Sequence, residues 1–204
     1  MADLELLLAY FKNFYPLSEG LCRYLSGCIK EITYEKNHVL QTGVEATNQM
    51  WFIAKGAVKV SRLNSDDNFG QVTVWFFKTN EVIVSLHDSY ITDSWEYSLT
   101  TTSRCRMISI SPFDLQQLSL LFPEFDRIRK QILESIIISV AKHLELVQHC
   151  NAFQRYEQVS KNDPSLFGQA SLKDIASYLG MSMSTLKKLR YPGKNTGKKN
   201  LKDK

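Results

Sequence analysis

Residues 171–190 have the sequence SLKDIASYLGMSMSTLKKLR, which predicts two short helices joined by a tight turn. Ser171 is a preferred helix cap, and Asp174 completes a capping box three residues later. Gly180 suits the turn because glycine adopts positive φ at low cost, and Ser182 caps the second helix. Apolar residues at helical spacing mark the sides that face each other, namely Leu172, Ile175, Ala176, Leu179, Leu186 and Leu189.

The outer side of the second predicted helix is polar and basic. A helix-turn-helix places the start of its second helix in the major groove of DNA. Lysine there donates to guanine edges or phosphates, and groups at a helix N-terminus suit phosphate. We therefore predict DNA contacts from Ser182, Met183, Ser184, Thr185, Lys187, Lys188 and Arg190. A helical hairpin whose outer side is merely solvated is the alternative.

Positive charge is concentrated in the same part of the chain. The net charge is +4, but residues 151–204 carry 11 Lys and Arg against 4 Asp and Glu, whereas residues 1–150 carry 14 against 17. Such a basic segment favours a polyanionic partner. The end of the chain, Lys194–Lys204, fits a solubilising tail as well as it fits phosphate contact.

Residues from about 29 to 110 alternate short apolar runs with turn signals. The runs lie at 39–41, 50–53, 58–61, 71–77, 82–84 and 104–110. Many short strands with regular turns predict a sandwich, barrel or jelly roll. The preceding segment, Leu4–Leu25, is predicted to be helical.

A change to helical spacing follows the strands. Ser111 and Pro112 begin a short helix that ends near Phe122, and Pro123 begins a long one. The long helix has one apolar face formed by Phe125, Ile128, Ile132 and Ile136, and a heptad seam formed by Leu133, Ile137, Val140, Leu144 and Val147. We predict that the first face packs on the β-domain and the seam on a second copy of the chain. A single broad face buried within one chain is the alternative.

These segments predict an α+β fold with three parts. Residues 1–122 form a jelly-roll or β-roll domain, residues 123–150 a dimerisation helix, and residues 151–204 a helix-turn-helix domain with a basic tail. Residues 151–169 are expected to hold the helix end and a connector with a turn at 162–165. The acidic start and the lack of a long apolar run predict a cytoplasmic protein without a membrane partner.

Neither cysteine nor histidine usage indicates a metal or cofactor site. Cys22, Cys28, Cys105 and Cys150 are scattered and lack zinc spacing. The strand region holds only His38 and His87, too few for the metal-dependent enzyme chemistry of cupin-type β-rolls. We therefore expect neither an enzyme nor a cofactor.

The order of β-roll, long helix and helix-turn-helix resembles the Crp/Fnr family of bacterial regulators. The run FIAKGAVKV at residues 52–60 is typical of the cyclic-nucleotide-binding fold, and residues 155–190 resemble a branch common in Bacteroidetes. The resemblance implies a β-roll that senses a signal, a winged-helix-like DNA-binding domain and a homodimer on a palindromic operator. It also implies RNA polymerase as a further partner.

The ligand pocket of that family is where the sequence departs from it. Glu81 matches the residue that would hold a ribose hydroxyl, but Glu96 lies roughly where an arginine for the cyclic phosphate is expected. A phosphate there would meet a carboxylate, so we predict that cyclic AMP does not bind tightly. The pocket, predicted around Glu81, Ser94, Trp95 and Glu96, either takes an unknown small-molecule effector or is empty.

A regulatory module that acts through protein contacts without DNA is a rival interpretation. The outer side of the second helix lacks arginine, and methionine is an unusual reader of bases. Salt-dependent DNA binding would separate the two interpretations.

Overall fold

The computed structural model describes residues 2–42, 49–62, 71–84 and 97–192. Its strands form a β-roll between residues 30 and 110, flanked by helices at both ends of the chain. The elements are α1 Ala2–Lys12, α2 Glu19–Cys28, β1 Lys30–Tyr34, β2 Val39–Thr42, β3 Met50–Lys55, β4 Ala57–Arg62, β5 Val72–Lys78, β6 Val82–Val84, β7 Tyr97–Thr101, β8 Cys105–Ile110, α3 Pro112–Leu121, α4 Pro123–His149, α5 Ala152–Asn162, α6 Leu166–Gln169, α7 Leu172–Tyr178 and α8 Met183–Arg190. The α+β class predicted from the sequence is confirmed.

The β-roll consists of two four-stranded antiparallel sheets. Their strand orders are β1-β8-β3-β6 and β2-β7-β4-β5, so β5 is an edge strand. The six predicted runs correspond to β2, β3, β4, β5, β6 and β8. The runs did not include β1 and β7, because KEITY and YSLTT are rich in charged or hydroxyl residues and show little apolar alternation.

Strand β3 is buried on both faces, which explains its unbroken apolar sequence. Met50 and Phe52 pack against the helices that cover the first sheet. Trp51 and Ile53 point the other way, into the core between the two sheets. A strand of this kind has a continuous apolar run because neither face meets water.

The segment Leu4–Leu25 is helical as predicted, and it consists of two helices, α1 and α2. The first helix ends at Lys12, and α2 begins at Glu19. Pro16 cannot sit inside a helix, and the Ser18 hydroxyl caps α2 by accepting from the backbone N–H of Leu21 at 3.2 Å.

The long helix begins and packs as predicted. Ser111 caps α3 by accepting from the N–H of Asp114, and α4 runs 27 residues from Pro123. Phe125, Ile128 and Ile132 are fully buried in the core that joins α4 to the first sheet, and Ile136 is partly buried there. The prediction that this face packs on the β-domain is confirmed.

The connector predicted at residues 151–169 is mostly helical, which corrects the prediction. Asn151 and Gln154 form a reciprocal capping box that begins α5, with both bonds at 3.0 Å. Val159 on the same helix is buried against the helix-turn-helix. The predicted turn does end α5, at Asp163. None of the described helices is both long and apolar enough to cross a bilayer.

Candidate nucleic-acid interface

The helix-turn-helix predicted for residues 171–190 is present as α7 and α8. Ser171 accepts from the N–H of Asp174, and Ser182 accepts from the N–H of Thr185, both at 3.1 Å. Gly180 has φ +61°, and a Cβ there would lie 3.0 Å from Nη1 of Arg155. The turn therefore needs glycine for its backbone conformation and for the close approach of α5.

Apolar packing between the two helices is as predicted. Ile175, Ala176, Leu179 and Leu186 are buried together, while Leu172 and Leu189 are partly buried. The small side chain of Ala176 allows the close crossing that the motif requires. This core fixes which side of α8 faces outward.

We name the outward residues Met183, Ser184, Lys187 and Lys188 the outer strip of α8. All four are exposed, so their side chains can meet a partner without rearrangement. The Ser182 hydroxyl is also exposed and lies 2.8 Å from the hydroxyls of Ser184 and of Thr185. The start of α8 therefore presents hydroxyl groups at the positive end of the helix dipole.

Two of the predicted DNA-contact residues, Thr185 and Arg190, are less exposed than the outer strip. Thr185 is partly buried beside the cap. The Arg190 guanidinium is 5.1 Å from the ring centre of Phe167 and 5.5 Å from that of Tyr191. Stacking of this kind restrains the arginine at the C-terminal end of α8.

The first helix of the motif is bound to the edge strand β5, a contact that the sequence did not predict. Asp174 accepts from Lys59 Nζ at 2.7 Å and from the Thr73 hydroxyl at 3.1 Å. The Ser177 hydroxyl accepts from the N–H of Thr73 at 2.9 Å and donates to its carbonyl at 3.3 Å. These bonds satisfy backbone groups that an edge strand otherwise leaves open. We call this set of bonds the β5–α7 contact, and it includes the bond from Lys59 of the neighbouring strand β4.

Aromatic packing extends the β5–α7 contact to α4. The rings of Tyr178 and His143 stack with centres 3.9 Å apart, and His143 Nε2 donates to the Tyr178 carbonyl at 3.0 Å. Phe76 of β5 is 2% exposed and lies in the same cluster as the buried residues of α7 and α8. Burial lowers the pKa of His143 and raises that of Tyr178, so both rings stay neutral at pH 7.

Asp174 stays charged in this contact. Burial alone would raise its pKa, but hydrogen bonds from Lys59 and Ser171 and the charge of Lys59 outweigh burial and hold the pKa below the ordinary 3.8. A depressed pKa stabilises the fold above the ordinary value, and the stabilisation is lost as pH falls through the lower folded-state value. The ion pair therefore contributes at neutral pH and fades in strong acid.

Replacing Lys59 with methionine is expected to reduce the free energy of unfolding by about 1–3 kcal/mol at neutral pH, because the Asp174 carboxylate loses its charged donor. The deficit should shrink as the pH falls below 3.8 and through the lower folded-state pKa of Asp174, where the carboxylate of the folded protein becomes protonated. Urea unfolding at neutral pH and at a pH below 3.8 measures the deficit in the free energy of unfolding. Lys55→Met, at an exposed position that ends β3, is the matched control and should change little. Equal deficits for the two variants would contradict the role of Lys59.

Three residues of the predicted dimer seam are exposed, and the other two are partly buried. Ile137, Val140 and Leu144 are 66%, 45% and 53% exposed on one side of α4. Leu133 and Val147 are partly buried within the chain, and Val147 lies against the turn at Gly180. Ile137, Val140 and Leu144 therefore form an exposed apolar strip on α4.

Of the predicted ligand-pocket residues, Glu81 can be placed, whereas Ser94, Trp95 and Glu96 lie outside the described residues. Glu81 follows the β5–β6 turn and accepts from the N–H of Lys78 at 2.9 Å. Desolvation raises its pKa, and the Lys78 charge offsets part of that rise. Glu81 lines a cavity of about 370 Å³ between β5, α4 and the C-terminal helices. The described residues contain no group of three His, Cys, Asp or Glu that could hold a metal ion.

Comparison with solved structures identifies the fold. FixK2 from Bradyrhizobium japonicum matches 79% of this chain and 82% of its own, with TM-score 0.66 and 18% identity. A protein described as a transcriptional regulator of the Crp/Fnr family from Eubacterium rectale has TM-score 0.66 and 12% identity. The match covers 87% of this chain and 85% of the other. The c-di-GMP responsive global regulator CLP from Xanthomonas campestris has TM-score 0.62 and 20% identity. The match covers 85% of this chain and 92% of the other.

No family model and no curated protein sequence matches the chain. The likeness is therefore one of structure, and it shows that the chain has the fold of the Crp/Fnr regulators, with a cyclic-nucleotide-binding-like β-roll followed by a helical C-terminal region. The fold expected from the resemblance is confirmed, while the Bacteroidetes branch stays a prediction.

Proposed function

We propose that the protein is a sequence-specific DNA-binding transcription regulator that acts as a homodimer on a palindromic operator. The observation that carries the proposal is the capped α7–α8 motif, whose outer strip exposes Lys187 and Lys188 beside a hydroxyl-rich helix start. Structural neighbours described as regulators support this function over an enzyme. RNA polymerase is a further proposed partner.

The dimer part of the proposal rests on α4. The exposed strip of Ile137, Val140 and Leu144 suits pairing with α4 of a second chain, because these residues recur at heptad spacing. A two-fold pair of chains would present two α8 helices to half-sites about one DNA turn apart, ~34 Å. The exposed strip on α4 and the helix-turn-helix therefore support the same two-fold dimer.

We further propose that the β-roll does not respond to cyclic AMP. The sequence between Arg62 and Arg104 has Lys78 as its single lysine or arginine. Its ammonium already pairs with Asp163 at 2.8 Å. Calorimetric binding of cyclic AMP at micromolar concentration would contradict this part of the proposal.

Gel-shift titrations of genomic fragments at low and high salt test DNA binding. Specific binding should retard a subset of fragments and weaken steeply as salt rises, because each phosphate contact releases counterions. Retardation of no fragment at low salt would favour the module that acts through protein contacts. Equal retardation of all fragments would contradict sequence-specific binding.

A further inference from the structure

The last turn of α4 is in direct contact with the helix-turn-helix. Leu146 is 8% exposed and lies in the same apolar core as the buried residues of α7 and α8. Val147 reaches the turn between those two helices, since a Cβ at Gly180 would lie 3.3 Å from Cγ1 of Val147. The helix that carries the exposed apolar strip therefore ends against the motif proposed to bind DNA.

Arg155 of α5 lies between the end of α4 and this turn. Its Nη1 donates to the carbonyl oxygen of Val147 at 3.4 Å. The same Nη1 would lie 3.0 Å from a Cβ at Gly180, so the guanidinium also borders the turn. One cationic side chain thus adjoins both α4 and the turn of the helix-turn-helix.

The end of α4 suits a cation for an electrostatic reason. Carbonyl groups in the last turn of a helix have no intrahelical partner, and they form the negative end of the helix dipole. Val147 is in the last turn of α4, which ends at His149. The N–H of Asn151, four residues on, donates to the Gln154 side chain instead. Arg155 therefore satisfies a carbonyl that the helix leaves open, and electrostatic attraction persists at 3.4 Å because it falls gradually with distance.

Stabilisation of the fold is a poor explanation for Arg155. Its Nε is buried and has no hydrogen-bond partner in the part of the chain that the structure describes. A buried donor without a partner costs free energy, which opposes the gain from the bond to Val147. Replacing Arg155 with methionine removes both the bond and the unmet donor, so the stability of the chain should change little.

We propose that Arg155 is a positioning residue, which fixes the helix-turn-helix relative to α4 and thereby sets the spacing of the two α8 helices in the dimer. The inference rests on the proposed function, because this spacing matters only in a dimer that binds DNA. Each α4 of that dimer is held against its copy, so the orientation of each helix-turn-helix on its α4 determines which half-site spacing the pair can reach. Arg155 acts through the turn at Gly180 and not by contacting DNA.

Fluorescence anisotropy with two duplexes tests this role, one carrying the palindrome that the protein selects and the other a single half-site. Arg155→Met is expected to weaken palindrome binding at least about tenfold, the equivalent of one charged hydrogen bond, and to leave half-site binding unchanged. Selection from random-sequence DNA should then recover palindromes of several spacings, where the wild type recovers one. A residue needed only for folding would weaken both duplexes alike.

Two further variants serve as controls. Arg155→Lys keeps the positive charge beside the Val147 carbonyl, so it should restore most of the palindrome affinity and the single spacing. Lys161→Met removes a cation from an exposed position on the same helix, and it should bind both duplexes like the wild type.

Hydrogen exchange measures the contact without DNA. The N–H of Met181, which donates to the carbonyl of Ala176 at 3.0 Å in the turn, should exchange faster in Arg155→Met and at the wild-type rate in Lys161→Met. Unchanged exchange in Arg155→Met would show that Arg155 does not hold the turn.

Three other outcomes would overturn the positioning role: equal weakening of both duplexes by Arg155→Met, a single selected spacing with unchanged palindrome affinity, or loss of the folded circular dichroism spectrum in this variant. A wild-type chain that selects no palindrome would lose the proposed function and the spacing role with it. A wild type that selects one palindrome, together with an Arg155→Met variant that selects the same one equally well, would lose only the positioning role.

Discussion

Replacing Val140 with lysine is expected to split the dimer into folded monomers and to weaken operator binding by roughly 10²–10⁴-fold. Val140 is 45% exposed in the single chain, so lysine is tolerated there in the monomer. In a paired α4 the same position faces its partner, where two buried ammonium groups would repel each other. Losing the second half-site removes the advantage of bivalent binding, which sets the expected loss.

Light scattering measures the mass, circular dichroism the fold, and fluorescence anisotropy with labelled operator DNA the affinity. Gln131→Lys is the matched control, because it introduces the same charge at an exposed position of α4 about half a helical turn around from Val140. A folded Val140→Lys dimer, or a monomer with unchanged operator affinity, would contradict the proposed pairing.

The double change Lys187→Ala and Lys188→Ala is expected to weaken DNA binding about a thousandfold, taking ~1 kcal/mol for each of the four lysines in a dimer. The slope of log affinity against log salt should also fall, by about 0.9 for each lost phosphate contact. Both side chains are exposed on the outer strip of α8, so the fold should not change. Anisotropy titrations at several salt concentrations measure both quantities.

The control is the double change Lys30→Ala and Lys36→Ala, which removes the same charge from exposed positions on the β-roll. It should leave both the affinity and the salt slope close to wild type. If the two double variants weaken binding equally, then general charge, and not the outer strip of α8, is responsible.

Local signals made the helix-turn-helix predictable from the sequence. The caps at Ser171 and Ser182 and the turn at Gly180 act within a few residues, and each occurs where it was expected. The buried face of α4 was equally clear, because its spacing repeats over three turns.

Contacts between distant segments were not predictable in the same way. Lys59 and Asp174 are 115 residues apart, and no local pattern pairs them. Phe76 belongs to an apolar strand, and its place beside the helix-turn-helix core depends on how the chain folds back. The helix α5 was missed because the turn signal after it and the polar residues within it outweighed its capping box.

These contacts between distant segments connect the helix-turn-helix to the β-roll. Asp174 was predicted as part of a helix cap, and it does interact with Ser171, but it also joins α7 to β5. The position of the helix-turn-helix is therefore set in part by the β-roll.

Selection of bound duplexes from random-sequence DNA by this protein tests the central proposal most directly. We predict enrichment of one palindrome with half-sites about 10 base pairs apart, as two α8 helices one DNA turn apart require. The Lys187→Ala and Lys188→Ala variant should enrich no such palindrome. Recovery of no shared sequence by the wild-type protein at low salt would contradict the proposal that this chain reads DNA.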